Sequence, residues 1–434
     1  MKKIRFLIVF IMLFTLLTTI SYGNLDDIEE IDVNDIKNEV SIETSKTLKN
    51  EPNINSRIGL IFDRNSGQVL FEKNGYKQTL MASTTKIMTA IVVVENSNLS
   101  KIVEVDNKSA QTGGSRLGLK KNDKITINDL LYGLMMKSGN DAAVQLAISV
   151  GKSVPEFAKM MNNKATELGL KNTHFVVPHG LDIDGHYTTA YELAKIADYA
   201  LKIPKIREIV STKTHTVYIN NRPMTINNTN ELLGSLNGVY GVKTGFTNGA
   251  GRCLVTSCKR DDIDIITVIL GADTKKMRTA DSIKLIEYAN KNFKMVNIKK
   301  KVIKEFSKWK GLNENRIIVN KGKTDMKLEL EDLEFDMMAV KNTQVDNIKI
   351  EANSVYYFDA PVEKKCVIGN LKIMIGDETV KVVNIYNKHE IEKKNVKDYI
   401  FEFLRVLSET WNSEINNILI PQITNYNYWF IWVA

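Results

Sequence analysis

The sequence predicts a mixed α/β (α+β) domain, then a small all-β sandwich, then a terminal amphipathic helix. Three observations carry that expectation. Two pairs of alternating apolar runs, "RIGLIFDRNSGQVLFEKN" and "AGRCLVTSCKRDDIDIITVILGA", bracket a long stretch of helical patterns, so one sheet would be assembled from both ends of residues 55–295. From about Lys299 onward, short segments such as "RIIVNKG", "NIKIEAN" and "ETVKVVNIYN" alternate apolar with polar between turn residues, as in a sandwich over residues 299–392. Over residues 395–420, Val396, Ile400, Phe403, Leu407, Trp411, Ile415 and Ile418 recur at spacings of three and four, which is the stripe of an amphipathic helix.

Taken in chain order, the 434 residues open with Lys2, Lys3 and Arg5, the apolar run "FLIVFIMLFTLLTTI", and the small residues Ser21 and Gly23. This is the order of a secretory signal peptide over residues 1–23, with an uncleaved anchor as the alternative; either way the rest of the chain is exported. Residues 24–54 are largely acidic, lack aromatics and read as a flexible leader. Removing the signal takes away three positive charges, so the net +8 falls to +5. A mildly basic exported protein meets anionic envelope polymers and lipid headgroups before it meets nucleic acid. The three cysteines are too few and too odd in number for a disulfide framework; Cys253 and Cys258, five apart on a strand, would face opposite ways as buried thiols. The aromatic tail "YNYWFIWVA" within residues 421–434 favours a membrane surface for the final helix, the alternative being a helix packed on its own domain.

Candidate chemistry begins at "MASTTKIMTA", where Ser83 stands three residues before Lys86 at the start of a helical pattern. At that spacing both side chains share a face, so the amine can take the hydroxyl's proton once burial or a nearby cation keeps it neutral. A helix start also offers free backbone N–H groups to a developing oxyanion. Alone this pattern is weak. "MKSGNDAA" adds Ser138 and Asn140 between two helical patterns, and "GVKTGFTNGAG" adds Lys243, Thr244, Gly245 and Phe246 on a strand, with a fixed cation and a glycine that lets a substrate backbone lie close. Ser-x-x-Lys, a Ser-x-Asn turn and Lys-Thr-Gly in this order are the signature of penicillin-recognising serine acyl-transfer enzymes. Gly139 takes the place of the usual aspartate in the middle motif.

The chain therefore resembles the serine D-alanyl-D-alanine carboxypeptidases, the low-molecular-weight penicillin-binding proteins of peptidase family S11. "GGSRLGL", "DLLYGLMMKSGNDAA", "NTHFVVPHGLDIDGHYTTAYELA" and "GVKTGFTNGAGRC" carry the likeness across residues 55–295, and the later segments match by architecture. The resemblance implies a penicillin-binding, β-lactamase-like transpeptidase fold. It also implies attack by Ser83 on the penultimate D-alanine of a peptidoglycan stem peptide, with Lys86 as base, Ser138 passing a proton to the leaving amine and Asn140 positioning Lys86. Lys243 and Thr244 would hold the terminal carboxylate, and the Ser83 and Phe246 N–H groups would form the oxyanion hole. β-Lactams would acylate Ser83, and no cofactor or metal is implied. Met81 stands where family members usually carry proline, which predicts a looser approach to the nucleophile.

Two alternatives share these motifs: a class A-like β-lactamase and a non-catalytic peptidoglycan-binding envelope protein. Against the first, no Glu-x-x-x-Asn lies between Ser138 and Lys243. The histidines clustered in "HFVVPHGLDIDGH" lack a metal-binding pattern, and no Gly-x-Ser-x-Gly elbow, P-loop or dinucleotide fingerprint occurs. The histidines are expected to serve a cleft-lining loop.

Overall fold

The computed structural model describes residues 31–46 and 51–423, with side chains described over 31–41 and 51–411. The expected signal peptide and all but the first three residues of the aromatic tail lie outside the described residues. The chain divides into two compact units: residues up to Val296 with Met337–Asn342, and Asn297–Asp336 with Thr343 onward.

The first unit is built on a sheet ordered β2-β1-β5-β4-β3, with β1 (Ile58–Asp63), β2 (Val69–Lys73), β3 (Val239–Thr247), β4 (Gly251–Arg260) and β5 (Ile263–Ala272). Every neighbouring pair is antiparallel, and β1 joins β5 across the 199 residues between Asp63 and Ile263, from Asp63↔Ile265 to Ile58↔Leu270. Side chains alternate across the pleat. Leu60, Val255 and Val268 enter one apolar core while Ile61, Leu254 and Ile269 enter the other. Cys253 and Cys258 divide the same way and are buried free thiols.

Helices cover both faces of this sheet. α1 (Val33–Lys46) and α8 (Lys275–Asn292) lie on one side. The other side carries a lobe of α2 (Lys86–Asn96), α3 (Ile127–Met135), α4 (Asn140–Gly151), α5 (Val154–Glu167), α6 (Ala190–Lys202) and α7 (Pro204–Ser211). The segment "KIMTAIVVVEN" is apolar on nearly all sides, so α2 is buried from Lys86 to Val93 rather than along one stripe. Truncating Ile91 there would cost about 2–5 kcal/mol through lost packing and a cavity. Local signals start the neighbouring helices: the Thr126, Thr189 and Thr274 hydroxyls accept backbone N–H bonds from Asp129, Glu192 and Met277.

The leader expectation fails over α1. Val33, Ile36 and Val40 fall on one helical face and are buried in the same core as Ile283 and Ile286 of α8, with Glu39 paired to Lys276 at 3.0 Å. Three apolar residues at helical spacing are enough to dock an otherwise polar segment.

The second unit opens with a helix, α9 (Ile298–Asn313), not with a strand as expected for residues 299–392. Ile298 and Val302 bury one face while its lysines keep the other in water. Its sandwich comprises a four-stranded antiparallel sheet, ordered Leu328–Leu330, Glu378–Asn387, Val367–Ile375 and Ile348–Ser354, and a parallel pair of Ile318–Asn320 with Tyr357–Asp359. The strand Met337–Lys341 pairs instead with Phe293–Asn297, and the Ala339 N–H donates to Asp63, so this loop of chain returns to the first unit. α10 (Val396–Ile423) follows the sandwich and exposes Phe401, Phe403, Leu404 and Trp411.

Candidate active site

Ser83 sits in a single 3-10 turn, Ala82–Thr85, whose end runs into α2 at Lys86. Residues three apart in such a turn stack almost in register, which sets the Lys86 amine 2.8 Å from the Ser83 hydroxyl. The turn is held tightly despite Met81: that residue is fully buried, and its carbonyl accepts from the Thr84 N–H and hydroxyl. Ala82 adopts φ +47°, a left-handed conformation that a non-glycine residue keeps only under surrounding constraint. Two glycines supply that constraint. A Cβ on Gly180 would strike the Ala82 carbonyl, and one on Gly245 of β3 would stand 3.0 Å from the Ser83 nitrogen. Gly180 itself has φ +86°, so both the close approach and the backbone require glycine there.

Lys86 is completely buried, with Nζ 2.7 Å from Asn140 Oδ1 and 2.7 Å from the His179 carbonyl as well as beside Ser83. Burial drives its pKa well below the usual lysine value, and the nearby Lys243 charge pushes it in the same direction, against a smaller opposing pull from Asp141. A neutral amine has two N–H donors and one lone pair. Asn140 Oδ1 and the His179 carbonyl can only accept, so they take the two N–H groups and leave the lone pair facing Ser83 Oγ–H.

Asn140 begins α4, and its Nδ2 donates to the Gly113 carbonyl, which fixes the amide with its oxygen towards Lys86. Ser138 lies just before, buried, at φ +59°. Sequence reasoning missed Asp141. Its buried carboxylate accepts the backbone N–H groups of Leu117, Gly118 and Leu119, fastening the "GGSRLGL" loop against α4. The available signal was an acid in the first turn of a helix that follows a motif.

β3 supplies the opposite wall. Lys243 is buried with its Nζ donating to the Thr244 carbonyl at 2.9 Å, and Thr244 Oγ1 lies 2.7 Å from Thr229 Oγ1. Ser83, Ser138, Thr244, Gly245 and Phe246 all line one cleft of ≈ 410 Å³. Also unanticipated was Arg278 of α8, buried on this cleft with Glu231 at 2.7 Å.

The histidines are structural parts of the loop behind the serine. His186 Nδ1 accepts from the Val176 N–H, so its Nε2 donates to Thr85 Oγ1 at 2.8 Å, and Thr85 in turn donates to the Ala82 carbonyl. Burial pushes His186 down to about 4 and His179 down to about 3, keeping both neutral. Asp182 accepts from Thr247 and Gly249, tying the same loop to the turn after β3. Among the described residues, no three His, Cys, Asp or Glu side chains are grouped to hold a metal ion.

Residues 45–274 match the peptidase S11 family model, described as D-alanyl-D-alanine carboxypeptidase. The chain is 32% identical over 345 residues to the D-alanyl-D-alanine carboxypeptidase DacF of Bacillus subtilis, covering 78% of this chain and 86% of that one. It is 30% identical over 375 residues to DacA of Escherichia coli, covering 83% and 89% respectively. Among solved structures, penicillin binding protein 5 of Haemophilus influenzae superposes with a TM-score of 0.67 at 26% identity, over 79% of this chain and 99% of that one. The Streptomyces K15 DD-transpeptidase matches with a TM-score of 0.52 at 35% identity, over 55% of this chain and 98% of that one.

Proposed function

The chain belongs to the peptidase S11 family of D-alanyl-D-alanine carboxypeptidases, and from that premise we propose that Ser83 is its nucleophile and Lys86 the base. The enzyme is a serine peptidase that hydrolyses the terminal D-alanine from peptidoglycan stem peptides. The single observation that carries the assignment is the buried Lys86 amine, whose two acceptor-only partners leave its lone pair to Ser83.

In the first half-reaction the Ser83 oxygen attacks the carbonyl carbon of the penultimate D-alanine while its proton passes to Lys86 Nζ. The oxyanion is received by the N–H groups of Ser83 and Phe246, which Gly245 lets approach one another. The C–N bond then breaks. The proton held on Lys86 reaches the departing amine through the Ser138 hydroxyl, D-alanine leaves, and an ester on Ser83 remains. Water attacks that ester, Lys86 takes the water's proton, and Ser83 recovers its hydrogen as the acid departs. Asn140 Oδ1 accepts from Lys86 whether the amine is neutral or carries the proton, and so keeps it aimed at Ser83 through both half-reactions. Lys243 and Thr244 bind the substrate's terminal carboxylate, with Lys243 also helping to keep Lys86 deprotonated. A β-lactam offers the same carbonyl and carboxylate and is trapped as the Ser83 ester.

The place of action in this reading is the outer face of the cytoplasmic membrane, reached by export through residues 1–23. No described helix is long and apolar enough to cross a membrane. α10 instead presents exposed Ile400, Phe403, Leu407 and Trp411 along one face, as a helix lying in an interface does. It carries more acids (Asp398, Glu402, Glu409, Glu414) than bases (Lys397, Arg405), so apolar contact and not charge drives its binding.

The test is release of D-alanine from a pentapeptide ending in D-Ala-D-Ala by the purified chain and by Lys86→Ala. Release by the parent and none by the variant supports the assignment; equal release by both would refute it.

A further inference from the structure

The cleft holds more positive charge than a single terminal carboxylate uses. Its lining includes Arg116, Lys137, Lys275 and Arg278 against one acid, Glu231. That acid is already engaged: Glu231 Oε1 accepts from Arg278 at 2.7 Å and from Thr279 Oγ1 at 2.5 Å. In the reading above, the terminal carboxylate goes to Lys243 and Thr244 on β3.

The wall beside Ser138 therefore keeps an excess. Lys137 is the residue immediately before Ser138, is exposed to solvent, and makes no ion pair among the described residues. Arg116 stands on the loop fastened by Asp141, with its Nε 3.8 Å from that carboxylate and its guanidinium donating to the Ala110 carbonyl. Four backbone N–H groups, those of Leu117, Gly118, Leu119 and Ala142, already occupy the Asp141 oxygens, so they offset part of the Arg116 charge at most. Its side chain remains 41% exposed.

We propose that this wall is a specificity site: Lys137, supported by Arg116, selects stem peptides whose residue before the two D-alanines carries a free carboxylate on its side chain. The inference rests on the carboxypeptidase reading and adds the substrate class. An ammonium without an ion-pair partner, in a cleft that a guanidinium also lines, rewards an anion and penalises a second amine. A stem peptide with a lysine-type or amidated side chain forgoes that contact, and the lysine-type one adds repulsion.

Two acyl tripeptides test this on the full chain: both end in D-Ala-D-Ala and differ only in that the preceding side chain terminates in a carboxylate or in its primary amide. The acid is expected to be preferred on the order of tenfold in kcat/KM at low salt, a ratio that shrinks as ionic strength rises. Lys137→Gln is expected to bring the ratio near one, Lys137→Glu to invert it, and Arg116→Gln to reduce it less. Acylation by benzylpenicillin checks that each variant is folded and competent. A ratio near one in the parent, or an unchanged ratio in a penicillin-competent Lys137→Gln, would overturn the proposal while leaving the carboxypeptidase reading intact. Release of D-alanine from neither peptide would overturn both.

Discussion

The active site and α10 each break the rule that apolar groups go inside and charges outside, and they break it in opposite directions. At the site, Lys86, Lys243, Asp141 and Arg278 are almost fully buried. On α10, Phe401, Phe403 and Trp411 are 71%, 64% and 68% exposed. A buried charge is costly unless it is partnered, and a row of exposed aromatics is costly unless something covers it. The first region meets its cost internally: Lys86 sheds its charge and gives its N–H groups to Asn140 and His179, Asp141 accepts backbone N–H groups, and Arg278 is paired with Glu231. The second leaves its cost for another surface to meet, which is why chemistry is assigned to one and attachment to the other.

The contrast is broken most severely by removing the partnered groups. Ser83→Ala and Lys86→Ala are each expected to lower kcat/KM for D-alanine release by roughly 10⁴-fold with the fold retained, measured beside circular dichroism. Residual activity within tenfold of the parent would mean another pair does the chemistry. Asn140→Ala removes one of the two acceptors that orient Lys86, and a loss of about 10²-fold is expected. Unchanged activity would show that His179's carbonyl suffices.

The exposed region is sharpened by charge. Phe403→Asp with Leu407→Asp should move the protein from the vesicle pellet to the supernatant in sedimentation with phosphatidylcholine vesicles, while D-alanine release stays within about twofold. Because α10 lacks a basic excess, binding by the parent should persist in high salt. Loss of parental binding in salt would contradict an apolar attachment.

Electrostatics at the site gives a smaller, directional effect. The proposed mechanism needs Lys86 neutral, so activity should fall as pH drops through its depressed pKa. Lys243→Gln removes a like charge, raises the Lys86 pKa, and should move the acid limb of kcat to higher pH. An unmoved limb would show that burial alone keeps Lys86 neutral. The last effect is on stability. The His186 pKa is about 4 when folded against an ordinary 6.5, so below 6.5 the unfolded chain binds a proton that the folded chain refuses. Stability is therefore lost as pH falls from about 6.5 to about 4, by roughly 2–3 kcal/mol from this residue. Urea unfolding at both pH values should show less of that loss in His186→Gln; an equal loss would assign it to other groups.

Much of this contrast is legible in the sequence, and the residues show why. Ser83 with Lys86, and Ser138 with Asn140, are close in sequence, so spacing alone places them on one turn or one helix start. The β1–β2 and β4–β5 hairpins announce themselves by alternation and turn residues. What spacing does not reveal is long-range. The His179 carbonyl meets Lys86 from 93 residues away, and a backbone acceptor has no residue-type signature. Asp141 is written next to Asn140, but its work is on residues 117–119. The helix α1 was hidden because three apolar residues among many acids score as disorder until α8 is there to receive them. The strand Met337–Lys341 reads as part of the second unit because nothing local records its pairing with Phe293–Asn297.

The central claim is that Lys86 activates Ser83 for acyl transfer, and the most direct test is the intact mass of the chain after exposure to benzylpenicillin, beside Ser83→Ala. The account predicts one penicillin added to the parent and none to the variant. No adduct on folded parent, or an adduct on both, would contradict it.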